Sequence, residues 1–236
     1  MHKTFPSLCL LAGLALAVAG CARREQEETP PPGLALATEA EVEAERAAKD
    51  RELRTDPDSP IPEAHRAAFQ GLQYYRHDPA LRFAVKLRRY PEPVPLKMVT
   101  TSGQVRPAVK AGYVEFEHGG ARHRLQVYQL RDPGASPEQW QSLFLPFLDQ
   151  TSAVETYGAG RYVDLAGGAD GWYVLDFNRA YHPLCAYGRD GYVCPRTPEE
   201  NRLPFAVRAG ERGWVEAGQD HAGGQATAAS HGGEGA

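Results

Sequence analysis

Between about residue 80 and residue 210 the chain is built of short runs in which apolar and polar residues alternate, the period of half-buried β-strands. Leu81, Phe83, Val85 and Leu87 alternate with Arg82, Lys86 and Arg88, so one face is buried and the other meets water. Pro91, Pro93 and Pro95 are expected to break that strand, and another apolar run spans Leu96 to Val99. Tyr113 to Glu117 and Arg122 to Leu130 flank His118-Gly119-Gly120, which predicts a hairpin turn. Leu143 to Leu148 reads as a strand whose Pro146 marks an edge or a bulge. Further strands are predicted at Tyr162 to Leu165, Trp172 to Phe177 and Phe205 to Arg208, the first two joined by a hairpin at Gly167 to Gly171.

About eight short strands joined by short loops favour an antiparallel meander, because parallel pairs need long crossovers. The fold class expected is mainly β, a single antiparallel meander closing into a small barrel or curled sheet. Closure removes exposed edges. A two-sheet β-sandwich is the alternative. One or two helices should precede the strands. Thr38 with Glu41 makes a capping box, and Glu39 to Arg54 carries a Glu45–Lys49 pair one turn apart, ending at Asp56-Pro57. With Val42 and Leu53 as its only large apolar residues, residues 38–56 are expected to form a solvated helix. A shorter helix is predicted from Pro62 to Gln70.

The ends of the chain change the picture. A basic start at Lys3, an apolar run from Leu8 to Val18 and small residues before Cys21 predict a secretory signal over residues 1–20. The run is shorter than the roughly 20 residues a membrane helix needs. Val18-Ala19-Gly20-Cys21 resembles a lipobox that would lipidate Cys21, with ordinary cleavage near Ala19 as the alternative. Ala22 is not the Asp associated with inner-membrane retention, so an outer membrane facing the periplasm is expected if the cell has two membranes. Residues 21–37, with Pro30-Pro31-Pro32, read as a flexible tether, and residues 215–236 as a disordered tail. That leaves residues 60–214 as one β-rich domain, enough for one core. A net charge of −4 lacks the footprint of a nucleic-acid binder.

Of four cysteines, Cys9 leaves with the signal and Cys21 takes the lipid, which leaves Cys185 and Cys194. In an oxidising compartment the pair predicts a disulfide, and closing a loop of about ten residues contributes roughly 2.5 to 3 kcal/mol. The alternative is a zinc site of His182, Cys185 and Cys194 with Glu199, Glu200 or water, although no CxxC pair supports it; otherwise no cofactor is expected. Asp149, Asp176 and Glu200 lie at the ends of apolar runs and are the carboxylates available for acid and base work. Arg161, after Gly158-Ala159-Gly160, suits an anion clamp or an internal pair with Asp149 or Asp176. Asn178 and Asn201 suit ligand contact or turn fixation, and Tyr157 and Tyr181 a ligand or a plugged barrel end. No dinucleotide, phosphate-loop, GxSxG or HExxH pattern is present.

A series of short motifs runs through the same region. They are FQGLQYY (Phe69 to Tyr75), FxDxT (Phe147, Asp149, Thr151), TYGAGRY (Thr156 to Tyr162), LDFNRAY (Leu175 to Tyr181), PxCA (Pro183, Cys185, Ala186), CP (Cys194, Pro195), ENRL (Glu200 to Leu203) and AGE (Ala209 to Glu211). In this order they resemble the bacterial family catalogued as domain of unknown function 1684, over roughly Pro60 to Glu211. The resemblance implies a β-rich module, the second of two found in longer members, and no established activity. The chain departs from the pattern at His182, usually Asn, at Ala153, commonly Gly, and at Arg196-Thr197, typically Leu-Pro. The functional expectation is a lipid-anchored envelope protein whose β domain binds a small polar ligand or partner through Asp149, Thr156, Tyr157, Arg161, Asp176, Asn178, Tyr181 and Asn201. The alternative is a hydrolase or metal-assisted enzyme using Asp149, Asp176, Glu200 and the His182/Cys185/Cys194 loop.

Overall fold

The computed structural model describes residues 29–131, 143–167 and 170–213. The signal segment, Cys21 and the rest of the tether up to residue 28, and the tail lie outside the described residues. Helix α1 (Glu39–Thr55) starts at the predicted capping box, with Thr38 accepting from the Glu41 amide and the Glu41 carboxylate accepting from the Thr38 amide. It stops where Asp56, extended before Pro57, donates its amide to the Glu52 carbonyl. Helix α2 is a single turn, Glu63–Arg66. Eight strands follow among the described residues: β1 (Arg82–Lys86), β2 (Arg88–Val99), β3 (Val105–His118), β4 (Ala121–Leu130), β5 (Leu145–Phe147), β6 (Arg161–Val163), β7 (Ala166–Gly167) and β8 (Trp172–Asp176).

All strand pairs are antiparallel, in three small sheets ordered β1-β8-β7, β2-β3-β4 and β5-β6. The fold is mainly β, as the pattern predicts, but the expected barrel does not close. β1 pairs with β8, at the far end of the chain, and β5 and β6 have three residues each, too few to seam the larger sheets together. A lone bridge from Tyr128 to Phe144 joins β4 to the segment before β5. The result is a set of curled sheets around one interior. The predicted hairpin turn forms: His118 pairs with Ala121, and Gly119 and Gly120 take φ of 60° and 76°, which suits the right-handed twist of the strands.

Other elements differ for identifiable reasons. The prolines do not end β2; it continues through Pro91, Pro93 and Pro95 as an edge strand, with a register shift between Arg89 and Val94. An edge position tolerates residues without an N–H, because one side of the strand has no ladder to supply. Phe205 to Arg208 is not a strand. Its Val207 amide and carbonyl are satisfied by buried side chains instead, as described below.

The core collects the inward positions of these sheets, among them Val85, Val114, Leu125, Val127, Leu145, Phe147, Val163, Leu175 and Phe177. Phe147, Phe116 and Phe83 surround Phe177, with ring centroids 5.1, 5.7 and 6.1 Å from it, within the range where aromatic edges and faces attract. A smaller cluster of Leu53, Ile61, Phe69, Leu72 and Tyr187 carries the helices.

Helix α1 corrects the expectation of a solvated stalk. Val42, Arg46 and Leu53 are buried, and with Lys49 they form one face at helical spacing. The expected Glu45–Lys49 pair does not form. Glu45 reaches Arg179 and Lys49 reaches Glu211, so both charges serve to dock the helix.

Ala153 holds φ of 65° in the exposed turn after Asp149, a backbone region that costs a residue with a Cβ roughly 1 to 2 kcal/mol. Ala153→Gly is therefore expected to raise the free energy of unfolding by about 0.5 to 1 kcal/mol, since relieved strain exceeds the entropy glycine adds to the unfolded chain. Urea denaturation checks this; a variant less stable than the parent contradicts it.

Candidate functional site

Arg161, first residue of β6, is 1% exposed, and its guanidinium is surrounded by acceptors. One terminal nitrogen donates to the Ala209 and Glu211 carbonyls at 2.6 and 2.9 Å. The other donates to the Val207 carbonyl at 2.7 Å and to Asp149 Oδ2 at 3.1 Å. Asp149 also accepts from the Val207 amide at 2.6 Å and from the Thr151 hydroxyl at 2.7 Å. Burial pulls the Arg161 pKa down and Asp149 pulls it back. The end of the segment expected to be a strand, at Val207, and the residues just after it are thus bound to one arginine through three carbonyls. The internal pairing of Arg161 with Asp149 is the arrangement found.

The other candidates separate into brackets and a cleft. Asn178 grips the backbone of Asp78, donating to its carbonyl and accepting from its amide, both at 2.8 Å, and its side-chain and backbone amides donate to the Asp176 carboxylate, which caps this turn. Asn201 ties β4 to β5 by accepting from the Gln126 amide and donating to the Gln126 and Pro146 carbonyls. Thr156 meets Thr151. Tyr157 donates its amide to the His182 ring at 3.4 Å. Asp149, Asp176 and Glu200 share no hydrogen-bond partner. Glu200 lies outside the core and binds Lys110 and the Tyr128 hydroxyl. Their separate engagement gives no paired acid and base.

Cys185 and Cys194 are bonded to each other, as the disulfide reading predicts. The zinc alternative is corrected by that bond, which takes both thiolates from the ligand set, and no group of metal-binding side chains occurs among the described residues. The loop they close carries the turn Leu184–Tyr187, and its last residue points inward: the Tyr187 hydroxyl donates to Glu211 Oε2 at 2.6 Å.

Glu211 is the centre of the feature the sequence reading missed. Its side chain is 2% exposed. Oε2 also accepts from the His182 amide at 2.9 Å, and Oε1 accepts from Lys49 at 2.6 Å. Its backbone is clamped by Arg161 and by its own amide, which donates to the Ala180 carbonyl at 2.8 Å. Gly210, at φ 75°, permits this approach; a Cβ there would lie 2.7 Å from the Phe177 carbonyl oxygen. A cleft of about 140 Å³ opens between α1 and this segment, lined by Glu45, Arg46, Lys49, Asn178, Tyr181 and Glu211 among others. Of the residues expected to hold a ligand, Asn178 and Tyr181 border it. Arg46 crosses it to the Tyr75 and Asn178 carbonyls, each at 3.1 Å, with its guanidinium 4.6 Å from the Tyr74 ring centroid. The visible signal for Glu211 was the AGE motif, which places a single carboxylate beside a glycine after an apolar run. A wider open groove of about 930 Å³ runs past His77, Arg82 and Arg208 and touches none of the expected ligand residues.

The family described as "Protein of unknown function (DUF1684)" matches residues 67–212, which contain all eight strands, the Arg161 cluster and Glu211. The chain belongs to this family. An uncharacterized protein of the archaeon Haloarcula marismortui, solved by solution NMR, is similar, with 34% identity over 74% of this chain and 93% of its own and a TM-score of 0.55. None of the curated proteins matches. Helix α1 lies before the matched residues of this DUF1684 protein.

His182 supplies a pH dependence. Its ring sits 3.6 Å from Glu211 Oε2, yet burial pushes its pKa down from 6.5 to about 4, so at neutral pH it is a neutral imidazole and not an ion partner. The unfolded chain binds a proton between pH 6.5 and 4 that the folded chain refuses. Stability from this group is complete above 6.5 and is lost as pH falls toward 4, by about 3 kcal/mol in all. His182→Asn, which restores the residue usual in the family pattern, should flatten the decline by about that amount when urea unfolding is measured at pH 7 and pH 4. An unchanged decline contradicts the assignment.

Proposed function

We propose that the protein is a lipid-anchored binding module of the cell envelope, held at Cys21 on the periplasmic side of the outer membrane where the cell has two membranes. Its β domain takes a small polar ligand in the cleft beneath α1. The observation that carries this reading is the buried Glu211 carboxylate facing that cleft, held by Tyr187 and the His182 amide and bordered by Tyr181 and the Asn178 backbone. A buried charge at the wall of a small cavity is costly unless it is paired, and it selects what may lie beside it. The lipobox-like Val18-Ala19-Gly20-Cys21 supports the anchor. No helix among the described residues is long and apolar enough to cross a membrane.

The hydrolase reading has less support. Its three carboxylates are engaged separately, and its metal ligands are joined as a disulfide.

The anchor is tested by expressing the full chain and its Cys21→Ala variant and separating membranes from soluble protein. The parent is expected in the membrane fraction with a diacylated N-terminal Cys21 by mass spectrometry, and the variant is expected in the soluble fraction. Equal distribution with no lipid adduct overturns the anchor. Binding is read from amide shifts while small polar compounds, charged and uncharged, are titrated in. Changes centred on Arg179 to Tyr181 support the cleft, and changes elsewhere contradict it.

A further inference from the structure

One occupant of the cleft is a side chain of the protein itself. Lys49 Nζ lies 2.6 Å from Glu211 Oε1 and 5.1 and 5.6 Å from the ring centroids of Tyr181 and Tyr187. A carboxylate beside two aromatic faces is the chemistry that recognises an alkylammonium ion: the carboxylate supplies charge, and the rings attract the cation while covering its methylene stem. The pocket does not depend on Lys49 for its shape. Glu211 is oriented by Tyr187, the His182 amide and the Ala180 carbonyl, all supplied by the β domain, and the disulfide-closed loop holds Tyr187.

Besides Lys49, helix α1 is held at this point by polar contacts, Arg46 to the Tyr75 and Asn178 carbonyls and Glu45 to Arg179. Its apolar contacts, Val42 and Leu53, stand at either end of the contact face, and between them it offers Arg46 and Lys49. The Lys49 side chain remains 33% exposed. Its stem reaches in from the solvent side as a free ligand would.

We propose that Glu211, Tyr181 and Tyr187 form a binding site for a small primary alkylammonium ligand, closed in this structure by α1, which places Lys49 in it as an internal ligand. The proposal rests on the reading of this cleft as the ligand site and adds the charge and class of the ligand. A side chain tethered in cis competes at an effective concentration in the millimolar range, so a free amine must displace it.

The test uses the full chain and Lys49→Ala, with propylammonium as probe, because its atoms are those the substitution removes. Uncharged 1-propanol is the control. Thermal unfolding of Lys49→Ala is expected to shift upward by about 3 °C or more at saturating propylammonium, with half the effect at a concentration at least about tenfold below that for propanol. The parent should need at least about tenfold more propylammonium than the variant. Glu211→Gln in the Lys49→Ala background should abolish the preference for the amine.

The outcomes separate the two readings. Equal binding of propanol and propylammonium keeps the cleft as a ligand site and overturns the alkylammonium assignment. Absence of either from Lys49→Ala overturns both. A parent as responsive as the variant shows that Lys49 is not the competitor and overturns the internal-ligand claim. Should Lys49→Ala fail to fold, Lys49→Met keeps the stem and removes the charge. Amide exchange across α1 is then expected to quicken at least about tenfold while β3 and β4 stay unchanged. Unchanged exchange in α1 overturns the proposal.

Discussion

The buried guanidinium of Arg161 is the constraint on which the rest of the molecule depends. Removing such a group from water costs several kcal/mol, and the cost is offset only where nearly every donor finds an acceptor. Here the acceptors are Asp149, the Thr151 hydroxyl and the carbonyls of Val207, Ala209 and Glu211. The Phe147 and Tyr75 rings flank the group at 5.1 and 5.8 Å. Because three of these acceptors are backbone carbonyls of a segment that forms no strand and pairs only through a bridge from Glu211 to Tyr74, the arginine does much of the work a neighbouring strand would do. It also determines where Glu211 stands.

From that fixed carboxylate the link to function is short. Glu211 collects Tyr187 from the disulfide-closed loop, the His182 amide from the segment after β8, and Lys49 from α1. Helix α1 and the stretch from His182 to Tyr187 meet at this one side chain, and a cleft of about 140 Å³ lies beside it. The helix comes from outside the stretch that matches the family, and it is fastened at its middle by charge and not by grease. A contact of that kind is easier for a cation in solution to replace than an apolar seam, because water and a competing ion compensate both partners when it opens.

How much of this the sequence declared depends on the kind of interaction involved. Local rules were legible: the Thr38–Glu41 capping box, the Gly119-Gly120 turn, the alternation of β1 and β8, and the pairing of two leftover cysteines. Long-range polar pairing was not. Phe205 to Arg208 carries the alternation of a strand, but its Val207 carbonyl is taken by a side chain from β6, and nothing local distinguishes the two fates. α1 looked solvated because a helix is ordinarily judged by its apolar stripe, whereas this one buries Arg46 and presents Lys49 to rings and a carboxylate. Several residues expected to face a ligand, Asp149, Asn178 and Asn201 among them, spend their hydrogen bonds on backbone fixation. Residues that fix a fold and residues that bind a ligand are polar for the same reason, so composition alone does not separate them.

The most direct measurement is a double-mutant cycle on Arg161 and Asp149, using Arg161→Met and Asp149→Leu and unfolding in urea. Each single variant strands a buried charge and should cost at least about 3 kcal/mol, while the double variant removes both charges and should cost no more than the worse single, a coupling of about 3 kcal/mol or more. Costs that simply add within about 0.5 kcal/mol would contradict a buried pair at the centre of the fold.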